Sequence, residues 1–451
     1  MRCALVVVLF AACGDSVVPP PSAEPRSGDR LKVERYVFPD GTSQVEPGRF
    51  FDVERGEHCT PEVWSDGQTY CTPDASEAVY TSSDCTTLIG RAPEAVRDPS
   101  YFLRTYTLQE IEHPSRLFIA GARSEAPAQI WRLRAGACLG PVAPAIGDRY
   151  YALAAEVPRD ELVRLAHATS AEASRLAVVG LRSDDGLHVP VELVDRALDL
   201  PCDLDLTATG GAIACIPRGT REARYYADAS CRVVELEVSD GDDAPPIAWT
   251  RDAAGCLAYH EVGEATFGPL FRDVAGTCER VTGPDDAAIH RITGPFELAV
   301  LARARDHRDG RRLLGIRASE GDLTIRDPRL YDTELGTECR RAEVLPGDFR
   351  CVPITETRVS TMYADATCTA ALSIAVVDTR TCVLRAPYGT RTDADVPTFH
   401  LLGAPHTAPA YLEDGDEKCV PFVPAAHQAL YDAGPALSPG RLARAVLVAD
   451  P

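Results

Sequence analysis

The chain has 451 residues, 45 % of them apolar, and a formal charge of −21. That length and apolar content allow a sizeable core and exclude wholesale disorder. The negative balance argues against a nucleic-acid partner, whose phosphates recruit lysine and arginine, and against direct adsorption to anionic lipid. Lysine occurs only at Lys32 and Lys418 and asparagine not at all, so Asn-x-Ser/Thr glycosylation is excluded and the codon usage fits a GC-rich genome.

At the start, Arg2 precedes the apolar run Ala4–Phe10, and Ala11-Ala12-Cys13-Gly14 follows. A basic start, a short apolar stretch and small residues before a cleavage point define a secretory signal. The run is too short to cross a bilayer as a helix. Small residues ahead of a cysteine resemble a bacterial lipobox, which implies cleavage before Cys13 and acylation of its thiol. The alternative is a plain secretory peptide with Cys13 incidental. Residues 13–29, rich in proline and serine and without periodicity, read as a solvated tether.

Beyond the tether the chain repeats itself three times. Arg30-Leu31, Arg175-Leu176 and Arg312-Leu313 each open a strand-like run. Asp52, Asp195 and Asp332 each stand seven residues before a cysteine: Cys59, Cys202 and Cys339. A second cysteine follows at Cys71, Cys215 and Cys351, each trailed by x-Pro. Tyr80, Tyr226 and Tyr363 then precede Cys85, Cys231 and Cys368 by five residues. The repeats cover 30–168, 174–306 and 311–451. A fainter half-period shows at Cys138, Cys278 and Cys419, each after an apolar lead and a turn, as Cys59 follows Phe51-Asp52 and Gly56.

Short apolar or aromatic runs between turn residues predict strands almost throughout, as in 33–37, 116–120 and 374–377. Turns are marked by Asp40-Gly41, Asp66-Gly67, Asp185-Gly186, Gly210-Gly211, Pro346-Gly347 and Asp414-Gly415. One helix is predicted, over Arg159–Ala168. The fold class is therefore all-β, and six similar units predict a six-bladed β-propeller of three two-blade repeats. The competing arrangement is three tandem β-sandwich domains.

Export permits disulfides. The first pair of each repeat flanks a glycine-containing turn, which predicts Cys59–Cys71, Cys202–Cys215 and Cys339–Cys351 across hairpins. Repeats two and three hold five cysteines each, so at least one per repeat is free or bonded outside it; Cys256 and Cys382 are the expected spares, since the first repeat lacks that position. Zinc is not expected, because no Cys-x-x-Cys occurs.

No catalytic motif emerges. The ten histidines are scattered, and no His-Glu-x-x-His, Gly-x-Ser-x-Gly or phosphate loop occurs. His58 beside Cys59 could form a nucleophilic pair, but a disulfide is the simpler use of Cys59. Asp52, Asp195 and Asp332 could face a common axis and hold a cation, or could bond the turn that follows each; the second explains their recurrence beside the cysteines. The acidic stretches 240–243 and 413–417 could bind calcium but match no calcium loop, so no cofactor is expected. The tyrosines are expected in the core.

The pattern Arg-Leu, Asp-x6-Cys, Cys-x-Pro and Tyr-Ala-Asp-Ala-Ser/Thr-Cys, closest at 226–231 and 363–368, resembles a repeat in uncharacterised cysteine-rich lipoproteins of myxobacterial type. Tyr80-Thr81-Ser82-Ser83-Asp84-Cys85 departs from it. The resemblance implies an exported protein of GC-rich origin and transfers no site. The expected role is non-catalytic: a binding or scaffold protein held by its lipid at the outer membrane, the cell surface or the periplasmic face, with a protein or carbohydrate ligand. The alternative is a hydrolase-like enzyme with a loop-built site on one propeller face.

Overall fold

The computed structural model describes residues 24–450, apart from 95, 97, 109–110, 135, 210–211, 239–243, 253–254, 267, 275–276, 282–287, 308–310, 381, 383–385, 393–396 and 414–417. Cys13, most of the tether, the Gly210-Gly211 and Asp414-Gly415 turns and nearly all of both acidic stretches lie outside the described residues.

The described chain is all-β, with 37 strands and two single-turn 3-10 segments. Alternation of buried and exposed positions explains why these residues form strands. In Leu31–Val37, Leu31, Val33 and Tyr36 point inward, and a register shift after Val33 buries Glu34 as well. Tight turns use positive-φ glycines at Gly41, Gly67, Gly186 and Gly347, with φ of 90°, 75°, 96° and 76°.

Fifteen strands join into one closed ring. Three equivalent sets of five supply it. The first set is Leu31–Val37, Ser43–Asp52, Glu57–Val63, Thr69–Pro73 and Arg164–Glu172. The second is Leu176–Arg182, His188–Asp195, Leu200–Thr209, Ala212–Pro217 and Ala299–Asp306. The third is Leu313–Glu320, Leu323–Asp332, Thr337–Leu345, Asp348–Pro353 and Arg444–Ala449.

Every neighbouring pair in the ring is antiparallel. An odd number of straight strands along one axis cannot alternate all the way round. The fifth strand of each set resolves this by belonging to two sheets. Arg164–Leu165 pair with Thr69–Tyr70, whereas Ala166–Glu172 pair with Ala177–Arg182 of the next set. Ala299–Leu301 pair with Ile213–Cys215, and Ala302–Asp306 with Gly315–Ser319. Arg444–Ala445 pair with Phe349–Arg350, and Val446–Ala449 return to Glu34–Val37 and close the ring.

Carboxylates reinforce each junction. The Asp185 carboxylate accepts the backbone N–H groups of Arg30 and Leu31 at 2.8 and 2.7 Å. Glu320 accepts that of Leu176 at 3.2 Å, and Asp40 accepts those of Arg312 and Leu313 at 3.1 and 2.7 Å. The hairpin turn of each set thus grips the opening of the set before it, and the first grips the third. Partial burial pushes the Asp185 carboxyl up, but hydrogen bonds from Ser183, Leu31 and Arg30 outweigh it and hold it below the usual carboxylate range. Bonds of this charge-assisted kind contribute about 1.5–3 kcal/mol each.

The cores interlock in the same order. Leu31, Phe50, Cys59, Cys71 and Leu165 pack with Leu181, Leu187 and Val189 of the second set. Leu176, Cys202, Cys215 and Leu301 pack with Ala318 and Leu323 of the third. Leu313, Cys339, Cys351 and Ala445 pack with Tyr36 and Phe38 of the first. Each set completes its core only with a hairpin from its neighbour.

Between its fourth and fifth ring strands each set inserts a satellite sheet, spanning 76–142 and 149–157, 221–295, and 358–436. The first curls back on itself through a short parallel pairing of Ser76–Glu77 with Phe102–Leu103. The third does so through Arg358 and Thr390. In the second that strand is broken into Arg221–Glu222 and Tyr225–Tyr226.

Two expectations on arrangement are corrected here. The strands form one ring and three satellites, not six four-stranded blades, and the shared ring is not three tandem sandwiches. The half-period reflected two kinds of hairpin: the Cys59 hairpin belongs to the ring, while the Cys138 hairpin hangs on a satellite. An apolar lead, a glycine turn and a cysteine describe both. The helix predicted over Arg159–Ala168 is a single 3-10 turn at Arg159–Glu161 followed by a ring strand. Leu162 and Leu165 are both buried, so their helix-like spacing came from a turn entering a strand.

Candidate binding surface

The three recurring aspartates are buried, and each is bonded to the arginine that opens its own set. The Arg30 guanidinium donates to Asp52 at 2.7–3.0 Å and to the Glu161 carbonyl at 2.8 Å. Arg175 donates to Asp195 at 2.8 and 3.0 Å and to the Glu297 carbonyl at 2.7 Å. Arg312 donates to Asp332 at 2.8–3.2 Å and to the Arg441 carbonyl. Each aspartate also accepts turn N–H groups: Glu54 and Arg55, Ala197, or Glu334 and Leu335. The bond to Asp52 holds the Arg30 guanidinium above its ordinary pKa. Both oxygens of every aspartate are engaged in this way. Each triad ties the start of a set, its second hairpin and the segment leading into the strand that crosses to the next set.

Seven disulfides are present among the described residues. Cys59–Cys71, Cys202–Cys215 and Cys339–Cys351 lie across ring hairpins, with Cα atoms 5.2–5.3 Å apart. Cys85–Cys138, Cys231–Cys278 and Cys368–Cys419 tie each satellite's first loop to its hairpin. The expected spares, Cys256 and Cys382, bond to each other across the second and third satellites. Cytosolic reductants keep thiols reduced, so this content fits an exported protein. No described helix is long and apolar enough to cross a membrane.

Cys85, Cys231 and Cys368 all have left-handed backbone, with φ of 52°, 53° and 52°. For a non-glycine residue this costs about 1–2 kcal/mol. Local hydrogen bonds offset it. Asp228 accepts the N–H groups of Ser230, Arg232 and Val233 at 2.6–3.0 Å, and Asp365 those of Thr367, Thr369 and Ala370. In the first repeat Ser82 Oγ takes that place, accepting from Thr86 and Thr87. This accounts for the departure of Tyr80–Cys85 from the repeat: a hydroxyl caps the loop where the others use a carboxylate. Hydrogen bonds from the Ser230 hydroxyl and the loop amides lower Asp228 to about 2.

The recurring tyrosines connect each satellite to its hairpin, Tyr80 facing Trp131, Tyr226 facing Phe271 and Tyr363 facing Tyr411. Tyr80 is buried and the other two half-buried. His58 lies 3.0 Å from the buried Glu34 carboxylate, and its neighbour Cys59 is spent in a disulfide. Among the described residues no three His, Cys, Asp or Glu side chains are grouped to hold a metal.

A groove of about 420 Å³ lies at the parallel seam of the first satellite, lined by Ser76, Glu77, Leu103, Thr105, Arg132 and Arg134. Arg132 Nε stands 3.2 Å from Glu77, and Arg91 donates to the same carboxylate at 2.9 Å. The Arg134 side chain is exposed and makes no hydrogen bond or ion pair among the described residues. Counted along the strand that faces the recurring tyrosine, Arg134 is matched by Val274 and Asp414; along the parallel seam, Glu77 opposite Leu103 is matched by Glu222 opposite Trp249 and by Arg358 opposite Thr390. Sequence reasoning missed this groove, because its residues come from three separate strands.

The profile of a family of unknown function, DUF7481, matches residues 5–442. No curated protein and no solved structure matches the chain.

Proposed function

Since the chain belongs to DUF7481, a family of unknown function, its role is read from its own residues: we propose an exported, non-catalytic binding or scaffold protein, anchored to the cell envelope by a lipid on Cys13. The observation that carries this reading is how the recurring polar residues are used. The Arg–Asp pairs and the junction carboxylates hold backbone together, and the cysteines are paired. The repeated chemistry supports a rigid ring, and the satellites are what such a ring would display. A lipobox-like Ala11-Ala12-Cys13 followed by a proline-rich stretch supports a tether from acylated cysteine to ring. The outer membrane or cell surface is the proposed address, with the ring facing outward or into the periplasm.

The anchor is tested by labelling cells with radioactive palmitate and separating their membranes. The native protein is expected to take up label and sediment with membranes. Cys13→Ser is expected to lose the label and leave the membrane fraction. Equal labelling of the Cys13→Ser protein would overturn the anchor.

A further inference from the structure

We propose that the groove on the first satellite binds an acidic saccharide, one whose sugar rings carry a carboxylate beside free hydroxyls; this deepens, and rests on, the binding role above. Three features of the groove point there. Arg134 is an exposed guanidinium without a partner among the described residues, in a chain of net charge −21. A guanidinium fork matches a carboxylate in geometry and charge. Glu77 is held by Arg91 and Arg132 and can only accept, so it favours ligands that donate hydroxyls and disfavours a phosphate dianion. Ser76 adds a hydroxyl with no partner among the described residues, and Leu103 supplies an apolar wall for the C–H face of a ring. A volume of about 420 Å³ falls within the ~300–1,000 Å³ of small-ligand sites.

The groove also fixes a stoichiometry. Arg134 has no basic counterpart in the other two satellites, where Val274 and Asp414 stand at its position, so one saccharide binds per chain, not three.

Isothermal titration of the purified protein with trigalacturonate, maltotriose and inorganic phosphate tests this. One trigalacturonate is expected per chain, with maltotriose at least tenfold weaker and phosphate not competing. Arg134→Ala, at an exposed position, is expected to lower trigalacturonate affinity about tenfold, the scale of one charge-assisted bond. Glu77→Gln, which keeps the side chain's shape, is expected to narrow the preference for hydroxyl-rich over simple carboxylates. Equal affinity for maltotriose, competition by phosphate, three sites per chain, or an unchanged Arg134→Ala protein would each overturn the inference. Palmitate labelling of the same Arg134→Ala protein reads the anchor separately. Lost saccharide binding with intact labelling concerns the groove alone.

Discussion

Replacing Asp195 by alanine lowers the free energy of unfolding by about 3–5 kcal/mol, the cost of breaking a buried ion pair from one side. Asp195 is fully buried and accepts two bonds from Arg175, whose third donor goes to the Glu297 carbonyl. Without the carboxylate, two donors of a half-buried guanidinium and the Ala197 N–H lose their acceptor. The chain leading into Ala299–Asp306, the strand that crosses to the third set, then loses its fixed origin. Urea unfolding followed by near-ultraviolet circular dichroism measures the effect. A cost under about 1 kcal/mol would mean the pair behaves like a solvated surface pair. Asp52→Ala and Asp332→Ala are expected to act the same way, because the same triad recurs at each.

The Cys256–Cys382 bond is the other large contribution. It closes a loop of 126 residues and joins two satellites that the ring alone keeps apart. Loop-closure entropy for that length stabilises by about 5 kcal/mol, against about 3 kcal/mol for the short ring hairpins. The Cys339–Cys351 bond inside the loop shortens it, so this figure is an upper bound. Converting both cysteines to serine is expected to lower stability by several kcal/mol while the other six disulfides form. Thermal unfolding without reductant, with a thiol count on the folded protein, reads both. A double variant as stable as the native protein would show that the ring already fixes the two satellites. Nearby, Arg380 donates to the Gly255 carbonyl at 2.5 Å and to Asp378, so a second contact spans the same joint.

Much of the ring was written in the sequence as recurrence, but its partnerships were not. Arg30, Arg175 and Arg312 repeat at the same step as Asp52, Asp195 and Asp332, yet the two sets stand about twenty residues apart, and only pairing of the first two strands brings them together. The aspartate's bond to its own turn was readable, because that interaction is local. The grip of Asp40, Asp185 and Glu320 on the neighbouring set was not. Turn chemistry explained Asp-Gly completely, and nothing local showed a second use for the carboxylate.

The six-blade expectation failed for a related reason. Periodicity reports how often a hairpin occurs, not which sheet it joins. The split strands belong half to one set and half to the next, an arrangement that leaves no mark on the apolar pattern. Cys256 and Cys382 stood out as lying outside the threefold frame, but their pairing depends on the junction of the second and third sets, which places two distant loops together. The groove was illegible because Glu77, Thr105 and Arg134 come from three strands of one satellite.

Native-state hydrogen exchange at the last ring strand tests the closed ring most directly. Val446–Ala449 pair with Glu34–Val37, whereas Arg444–Ala445 pair with the third set's own sheet. In a closed ring, peptides covering 446–449 are protected as strongly as those covering 166–172 and 302–306, which occupy the same place in the other two junctions. Exchange at 446–449 as fast as in an unstructured terminus, with the other two junctions protected, would mean that the ring is open between its ends.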